Sequence, residues 1–144
     1  NVIFTGVNFA PGAPLIEERI SLFCNENKDF FYVKSLGSQK YISLMKQCQA
    51  VIGNTSSGFY EAPFLQKPTI NVGCRQLGRL GCDSIFHVTN TKDILHTLTQ
   101  ITAMSFDHIS SPYGNGNASE KIIQSLKDIE SFRGLLNKKF VDLS

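Results

Sequence analysis

Short apolar segments alternate along this chain with longer stretches in which apolar residues recur at helical spacing. The short segments predict strands, because each is a nearly continuous apolar run bounded by turn residues. These predicted strands are Val2–Phe4, Phe30–Val33, Ala50–Ile52, Thr69–Val72 and Ser84–Val88.

The longer stretches predict five helices. Pro14 suits the first turn of the first helix, whose apolar residues continue to Phe23. Ser38 and Thr91 predict caps for the second and fourth helices, and Pro68 follows the end of the third. The helices are expected around Pro14–Phe23, Ser38–Cys48, Ser56–Phe64, Lys92–Met104 and Ser119–Phe132.

Strands that alternate with helices predict parallel βαβ units, and near-continuous apolar strands indicate a sheet covered on both faces. The predicted fold is therefore a Rossmann-like, doubly wound α/β domain over residues 1–132, followed by a tail, 133–144. In such folds ligands bind beyond the carboxyl ends of the strands. We therefore expect the chemistry in the loops after the first, third and fourth strands.

Length and composition narrow the function classes. The 144 residues fit one domain, and 42% hydrophobic against 18% charged residues excludes a disordered tail. A net charge of +2 gives no argument for nucleic-acid binding. No run approaches the ~20 apolar residues of a membrane-spanning helix. The chain begins at Asn1 inside an apolar segment, so we expect it to be a fragment with sequence missing upstream.

The cysteines and histidines give no sign of a metal site. The four cysteines form no C-x-x-C pair, which favours reduced thiols in a cytoplasmic protein over zinc ligands or disulfides. The three histidines, His87, His96 and His108, do not share metal-ligand spacing. We therefore expect core or surface roles for them, and no metal.

The segment Ile52–Glu61 is the most informative for function. Its strand ends in Gly53, small and hydroxyl residues follow, and a helix begins. Open backbone N–H groups and hydroxyls at such a turn suit an anion, although neither a Walker loop nor a dinucleotide fingerprint is present. The alternative is that Thr55 or Ser56 is only an ordinary helix cap.

The charge distribution favours a phosphate ligand in this middle part of the chain. Six basic residues and one acid, Glu61, lie between positions 30 and 82. Glu61 suits the hydroxyls of a ribose, or else only interacts with the helix dipole. Arg75 and Arg79, flanked by glycines, suit a phosphate clamp, or else are a surface pair.

Two further segments near the predicted site have less specific patterns. Cys74, beside Arg75, is expected to be inert and packed rather than a thiol of lowered pKa. The turn Tyr113–Asn117 offers donors and acceptors, and the sequence leaves open whether it closes over a ligand or only caps the last helix.

Several of these segments together resemble one known family. The runs Ser35–Gly37, Tyr41–Met45, Val51–Pro63, Lys67–Arg79 and Tyr113–Ala118 are similar to the hydrolysing UDP-N-acetylglucosamine 2-epimerases. The pair of motifs G-N-[ST]-S-x-G…E and G-x-R-Q-x-G-R is the specific part of this resemblance. It is closest to the branch that supplies N-acetylmannosamine for sialic and related nonulosonic acids.

The resemblance implies half of a two-domain, glycosyltransferase-B-like enzyme, with this chain as most of the C-terminal half. The family reaction eliminates UDP to leave a 2-acetamidoglucal and then adds water with inversion at C2, without cofactor or metal. The proton-transfer residues are expected in the missing N-terminal domain, so no catalytic residue is expected here. This chain alone is expected to bind nucleotide weakly and not to turn over.

The resemblance also implies roles for individual residues. Thr55 and Ser56 match positions that hold the diphosphate, Glu61 matches the acid that binds the ribose, and Arg75 matches an arginine that positions the nucleotide. The family often has an acid in its first loop, which the segment Asn8–Gly12 lacks. The implied substrate-binding residues are Ser35, Leu36, Thr55, Ser56, Ser57, Glu61, Arg75 and Arg79.

The expected partners are UDP-N-acetylglucosamine or UDP, the missing domain and, as is common in this family, a second copy in a homodimer. Two alternatives remain at this point. One is the nucleotide-binding half of a glycosyltransferase-B-type glycosyltransferase, and the other is a UDP-binding module without catalysis.

Overall fold

The computed structural model describes residues 1–8, 10–136 and 141, and strands alternate with helices along it. The strands are β1 (Val2–Thr5), β2 (Phe30–Val33), β3 (Val51–Gly53), β4 (Thr69–Val72) and β5 (Ile85–Val88). The helices are α1 (Ala13–Glu26), α2 (Gly37–Gln47), α3 (Ser57–Tyr60), α4 (Thr91–Ile101) and α5 (Ala118–Lys127), with a 3-10 turn at Gly134–Leu136. The predicted parallel α/β class is confirmed.

The five strands form two parallel sheets, where a single sheet was predicted. β1 pairs with β2, with Val2 opposite Phe30, and β3, β4 and β5 pair in that order, with Ile52 opposite Ile70. β3 is only three residues long and pairs with β4. It ends at Gly53, whose φ of 142° turns the backbone out of the strand. Among the described residues, β3 forms no ladder with the first sheet.

The second sheet has a helix on each face. On one face α4 packs against β4 and β5, and Ile70, Val88 and Ile101 form a buried apolar cluster. On the other face α3 lies against β4 at Gly58, where an added Cβ would come within 3 Å of the Thr69 side chain. Glycine is therefore required for this close approach, and it fixes the position of the segment that begins at Thr55.

The first sheet is covered less completely. Phe4, Phe23 and Phe30 pack their rings together between β1, α1 and β2, with the Phe23 and Phe30 centroids 4.9 Å apart. No residue of α1 is fully buried, and Ile3 and Phe31, which face each other across the two strands, are 41% and 48% exposed.

Several helix boundaries differ from the predicted ones. α3 ends at Tyr60 rather than at Phe64, and Pro63, which lacks an N–H, lies in the turn that follows. Asn90, not Thr91, caps α4, because its backbone is extended and its side chain accepts from the Asp93 N–H at 3.0 Å. The first turn of α2 begins at Gly37, so Ser38 lies inside the helix and is not its cap.

The end of the chain also differs from the prediction. α5 ends at Lys127, and the predicted continuation to Phe132 does not form. Its apolar residues Ile122, Ile123 and Leu126 are all exposed, so no packing supports further helical turns. The predicted tail lies mostly outside the described residues. No helix in the described ranges has the length and apolar character needed to cross a membrane.

Candidate functional site

Three loops at the carboxyl ends of the strands meet at Arg75, in the loop after β4. Its Nη1 donates to the carbonyl of Asn54, after β3, at 2.9 Å. With the Asn8 amide oriented so that its oxygen faces Arg75, this oxygen accepts from Nη1 at 3.1 Å and from Nη2 at 3.0 Å. The loops after β1, β3 and β4 therefore cluster as the fold predicts, and Arg75 links the two sheets.

The turn Thr55–Ser57 leaves backbone donors open. The Ser57 N–H donates to Thr55 Oγ1 at 3.3 Å, and the Gly58 N–H donates to the Thr55 carbonyl at 3.3 Å. Within the described residues, the N–H groups of Thr55 and Ser56 donate no hydrogen bond. Two adjacent free N–H groups in a tight turn are a typical anion-binding arrangement.

The turn also bears on the alternative that its hydroxyls only cap a helix. Ser56 stands at the N-cap position of α3, but its side chain makes no capping hydrogen bond. The Thr55 hydroxyl is used locally, as acceptor from the Ser57 N–H. The Ser56 hydroxyl is therefore available to a ligand, while the Thr55 hydroxyl retains only part of its bonding capacity.

Gln76 is a site residue to which the sequence pattern assigned no role. Its side chain is 2% exposed, and Nε2 donates to the Asn54 carbonyl at 2.6 Å. Its Oε1 is buried with no hydrogen-bond partner among the described residues. The available signal was its place beside Arg75 in G-x-R-Q-x-G-R, where a polar residue directly follows the arginine.

Glu61 directly follows α3, and one of its carboxylate oxygens is an unused acceptor. Its backbone N–H donates to the Ser57 carbonyl at 3.0 Å, which attaches it to the end of the turn. Oε2 is buried, and no described group donates to it. An unsatisfied buried acceptor is unfavourable for stability and is typical of a place where a ligand supplies the donor.

Arg79 does not share the partners of Arg75 and instead contacts Tyr60. Its guanidinium carbon is 5.1 Å from the centre of the Tyr60 ring, and Nη1 donates to the Tyr60 hydroxyl. The Tyr113 ring packs edge-on to Tyr60 at 4.5 Å, and its hydroxyl donates to the Leu80 carbonyl at 3.0 Å. Burial raises the pKa of Tyr113, and Tyr60 adds to the rise.

The sequence grouped Arg75 and Arg79 as one clamp, but in the structure the two arginines have different partners, and Arg79 belongs to a Tyr60–Arg79–Tyr113 cluster. Arg75 bonds the loops around the turn, while Arg79 packs on the residue next to Glu61. The cluster also attaches the Tyr113–Asn117 segment to the loop after β4. A phosphate role for Arg79 stays a prediction.

A comparison with protein-family models shows the family to which the chain belongs. Residues 3–127 match the family model described as UDP-N-acetylglucosamine 2-epimerase. The chain belongs to this epimerase family.

Individual relatives agree with the assignment. The chain is 36% identical to GDP/UDP-N,N'-diacetylbacillosamine 2-epimerase (hydrolyzing) of Campylobacter jejuni, over 99% of this chain and 38% of that protein. It is 33% identical to polysialic acid biosynthesis protein P7 of Escherichia coli, over 98% of this chain and 37% of the relative. The chain thus spans well under half the length of these two relatives.

A solved member of the family has the same fold. UDP-GlcNAc 2-epimerase from Neisseria meningitidis, bound to UDP-GlcNAc, superposes with a TM-score of 0.64 at 20% identity. The match covers 89% of this chain and 36% of that structure. The Rossmann-like half of a glycosyltransferase-B-like fold is therefore confirmed.

The remaining residues implied by the epimerase resemblance lie beside α2. Ser35 is exposed and accepts from the Gly37 N–H through Oγ at 3.4 Å, and Leu36 is half-buried before the helix. No hydrogen bond within the described part of the chain joins them to the Thr55–Ser57 turn. Contact with the uracil stays a prediction for both.

Two of the chain's cysteines are in different surroundings. The expectation that Cys74 is packed was wrong: its side chain is exposed in the loop between Gly73 and Arg75, because Gly73 at φ 79° turns the chain away from the sheet. Burial raises the pKa of Cys48, although nearby Lys67 partly lowers it. Cys74 is therefore the accessible thiol next to the candidate site.

The histidines are not grouped for metal binding. His87 is exposed on β5, and its Nδ1 lies 3.1 Å from the Nδ2 of the buried Asn71. Over residues 1–8, 10–136 and 141, no three His, Cys, Asp or Glu side chains lie close enough to hold a metal ion.

Proposed function

We propose that this chain is the UDP-binding half of a hydrolysing UDP-N-acetylglucosamine 2-epimerase, which releases N-acetylmannosamine and UDP. The observation on which the proposal depends is the pair of open N–H groups at Thr55 and Ser56, in a turn fixed by the Arg75 loop. Family membership supports it, and so does the solved neighbour, which was obtained with UDP-GlcNAc.

The diphosphate is assigned to the turn. The N–H groups of Thr55 and Ser56 and the hydroxyls of Ser56 and Ser57 supply neutral donors, and Arg75 supplies the charge nearby. Donors already in place before the reaction stabilise negative charge as it develops on the departing UDP. The same contacts thus bind the nucleotide and assist the elimination that forms the 2-acetamidoglucal.

The nucleoside is assigned to two flanking segments. The buried Oε2 of Glu61, without a partner among the described groups, accepts from a ribose hydroxyl. The backbone at Ser35–Leu36 is assigned to the uracil edge. Proton transfer at C2 is assigned to a further domain of the enzyme. The whole enzyme is proposed to act in the cytoplasm as a homodimer, in the synthesis of sialic or nonulosonic acids.

A second sugar nucleotide is favoured by the relatives' names. Both diacetylbacillosamine epimerases, at 36% and 33% identity, are more similar to this chain than the UDP-N-acetylglucosamine 2-epimerase of Neisseria meningitidis, at 26%. UDP-N,N'-diacetylbacillosamine shares the UDP moiety and differs in the sugar. It is therefore the second candidate substrate for the same site.

The test is calorimetric titration of this chain with UDP, uridine and pyrophosphate. The proposal expects saturable UDP binding, with uridine and pyrophosphate each much weaker. Replacing Glu61 by Gln weakens UDP by about tenfold, the value of one charge-assisted hydrogen bond, and leaves pyrophosphate unchanged. Lys46→Ala, at an exposed site on α2, is the matched control. Absence of UDP binding at millimolar concentration would contradict the proposal.

A further inference from the structure

The carbonyl of Asn54 is held by two side chains of the same loop. Arg75 donates to it at 2.9 Å, and Gln76 donates to it through Nε2 at 2.6 Å. Asn54 connects β3 to the Thr55–Ser57 turn, so its carbonyl belongs to the peptide unit that contains the Thr55 N–H. The direction of that peptide plane determines where the N–H points.

The geometry of the peptide unit gives this contact its consequence. In a trans peptide the C=O and N–H bonds point in opposite directions, and no cis bond occurs among the described residues. Holding the Asn54 oxygen toward the loop after β4 therefore directs the Thr55 N–H away from that loop, to the side left open for a ligand.

The two donors are in different environments. Arg75 is exposed and also bonds Asn8, so a bound anion can compete for its guanidinium. Gln76 is almost fully buried and carries no charge, and the Asn54 carbonyl is the one hydrogen-bond partner of its side chain among the described residues. Because it is buried and uncharged, this side chain is expected to keep its contact with Asn54 when an anion binds.

The burial of Gln76 needs an explanation beyond packing. Its Oε1 lies buried with no donor from any described residue, which is unfavourable, whereas an apolar side chain of similar length would leave no unsatisfied atom. The gain from glutamine at this position is the Nε2 donor on Asn54.

We propose that Gln76 is a positioning residue that orients the Asn54–Thr55 peptide so that the Thr55 N–H faces the diphosphate. The inference rests on the proposed function for its ligand, but the orientation itself is a property of the free chain. Gln76 is distinct from Arg75 in this role because it acts without contacting the nucleotide.

The test compares Gln76→Met and Gln76→Glu with the unaltered chain, and Gln66→Met is the control. The Gln66 side chain also forms hydrogen bonds, one from the Ile109 N–H at 2.7 Å and one to the Ile109 carbonyl at 3.0 Å. Removing these bonds is expected to lower stability without changing UDP affinity relative to uridine affinity. Both Gln76 variants are expected to weaken UDP by about tenfold, one hydrogen bond's effect, and to leave uridine affinity unchanged. Gln66→Met is expected to leave the ratio of UDP to uridine affinity unchanged.

A second readout needs no nucleotide. The amide ¹⁵N and ¹H shifts of Thr55 and Ser56 in the free chain are expected to move in both Gln76 variants and to stay in place in Gln66→Met. If the unaltered chain binds no UDP, the proposed function fails, while these shifts still decide whether Gln76 orients the turn. Unchanged Thr55 shifts in the folded Gln76 variants, or an unchanged ratio of UDP to uridine affinity, would overturn the positioning role.

Discussion

The two sheets of the molecule differ in how completely they are buried. The β3–β4–β5 sheet has helices on both faces, and Ile70, at its centre, is fully buried. The β1–β2 sheet has the aromatic cluster of Phe4, Phe23 and Phe30 on one side, yet α1 buries no residue completely. Side chains fixed by dense packing hold a fixed geometry better than half-exposed ones.

The candidate site follows this difference. The turn, Gln76 and Glu61 all belong to segments attached to the well-packed second sheet. The first sheet contributes through one link, the Asn8 side chain on Arg75. A diphosphate site requires donors held in place before the ligand arrives, and the second sheet supplies that rigidity.

The largest effect is expected from the core of the second sheet. Ile70→Ala should lower the free energy of unfolding by about 2–5 kcal/mol, because a fully buried side chain is lost and a cavity remains. Phe23→Ala should lower the free energy of unfolding by less than the loss of a fully buried phenylalanine does, because Phe23 is 44% exposed. Urea denaturation of both variants measures the comparison, and equal losses would mean that the sheets are equally well packed.

The next effect concerns Gly58, the glycine of α3 that faces β4. A Cβ at Gly58 meets the Thr69 side chain at less than 3 Å, and the Thr69 hydroxyl donates to the Gly58 carbonyl at 3.0 Å. Gly58→Ala should therefore displace α3, lower stability by about 1–3 kcal/mol as overpacking does, and weaken UDP binding.

Gly81→Ala is the matched control, because its nearest neighbour, Ile85 Cδ1, would lie at an ordinary 3.6 Å. Thermal unfolding and UDP titration of both glycine variants check the prediction. Equal behaviour of the two would show that α3 does not depend on the close approach to β4.

Removing Arg75, which links the two sheets through Asn8 and Asn54, should lower UDP affinity more than it lowers the free energy of unfolding. Arg75→Ala is expected to weaken UDP by about ten- to a hundredfold, through loss of charge and of the Asn54 contact. Asn8→Ala removes only the link from the first sheet and should weaken UDP severalfold at most. Titration calorimetry ranks the two, and a larger effect of Asn8→Ala would assign the site to the first sheet instead.

The smallest effect is expected at the cysteines. Cys74 is exposed beside Arg75, whereas burial raises the pKa of Cys48 and so lowers its thiolate fraction at neutral pH. Alkylation followed by mass spectrometry should modify Cys74 first, and UDP should slow this modification without changing Cys48. Equal modification of Cys74 with and without UDP would contradict a nucleotide bound next to the Arg75 loop.

Local pattern was enough to predict the strands and the loops that form the site. The short segment Thr69–Val72 between turn residues and the small residues after Gly53 identify β4 and the turn, because strand and turn signals are read from neighbouring residues. The separation into two sheets was not predictable in this way, since it depends on pairing between distant segments.

The partners of individual side chains also could not be predicted from the sequence. Arg75 and Arg79 are four positions apart and look equivalent in sequence, but one bonds Asn54 and the other packs on Tyr60. Gln76 went unassigned because the burial of a polar residue is a tertiary property. The exposure of Cys74 was missed for the same reason, as it follows from the left-handed turn at Gly73.

A crystal structure of this chain with UDP would show whether the Thr55–Ser57 turn binds the diphosphate of a uridine nucleotide. Phosphate oxygens are expected about 2.7–3.2 Å from the backbone nitrogens of Thr55 and Ser56, with a ribose hydroxyl on Glu61. An empty turn with UDP bound elsewhere on the molecule would contradict this expectation.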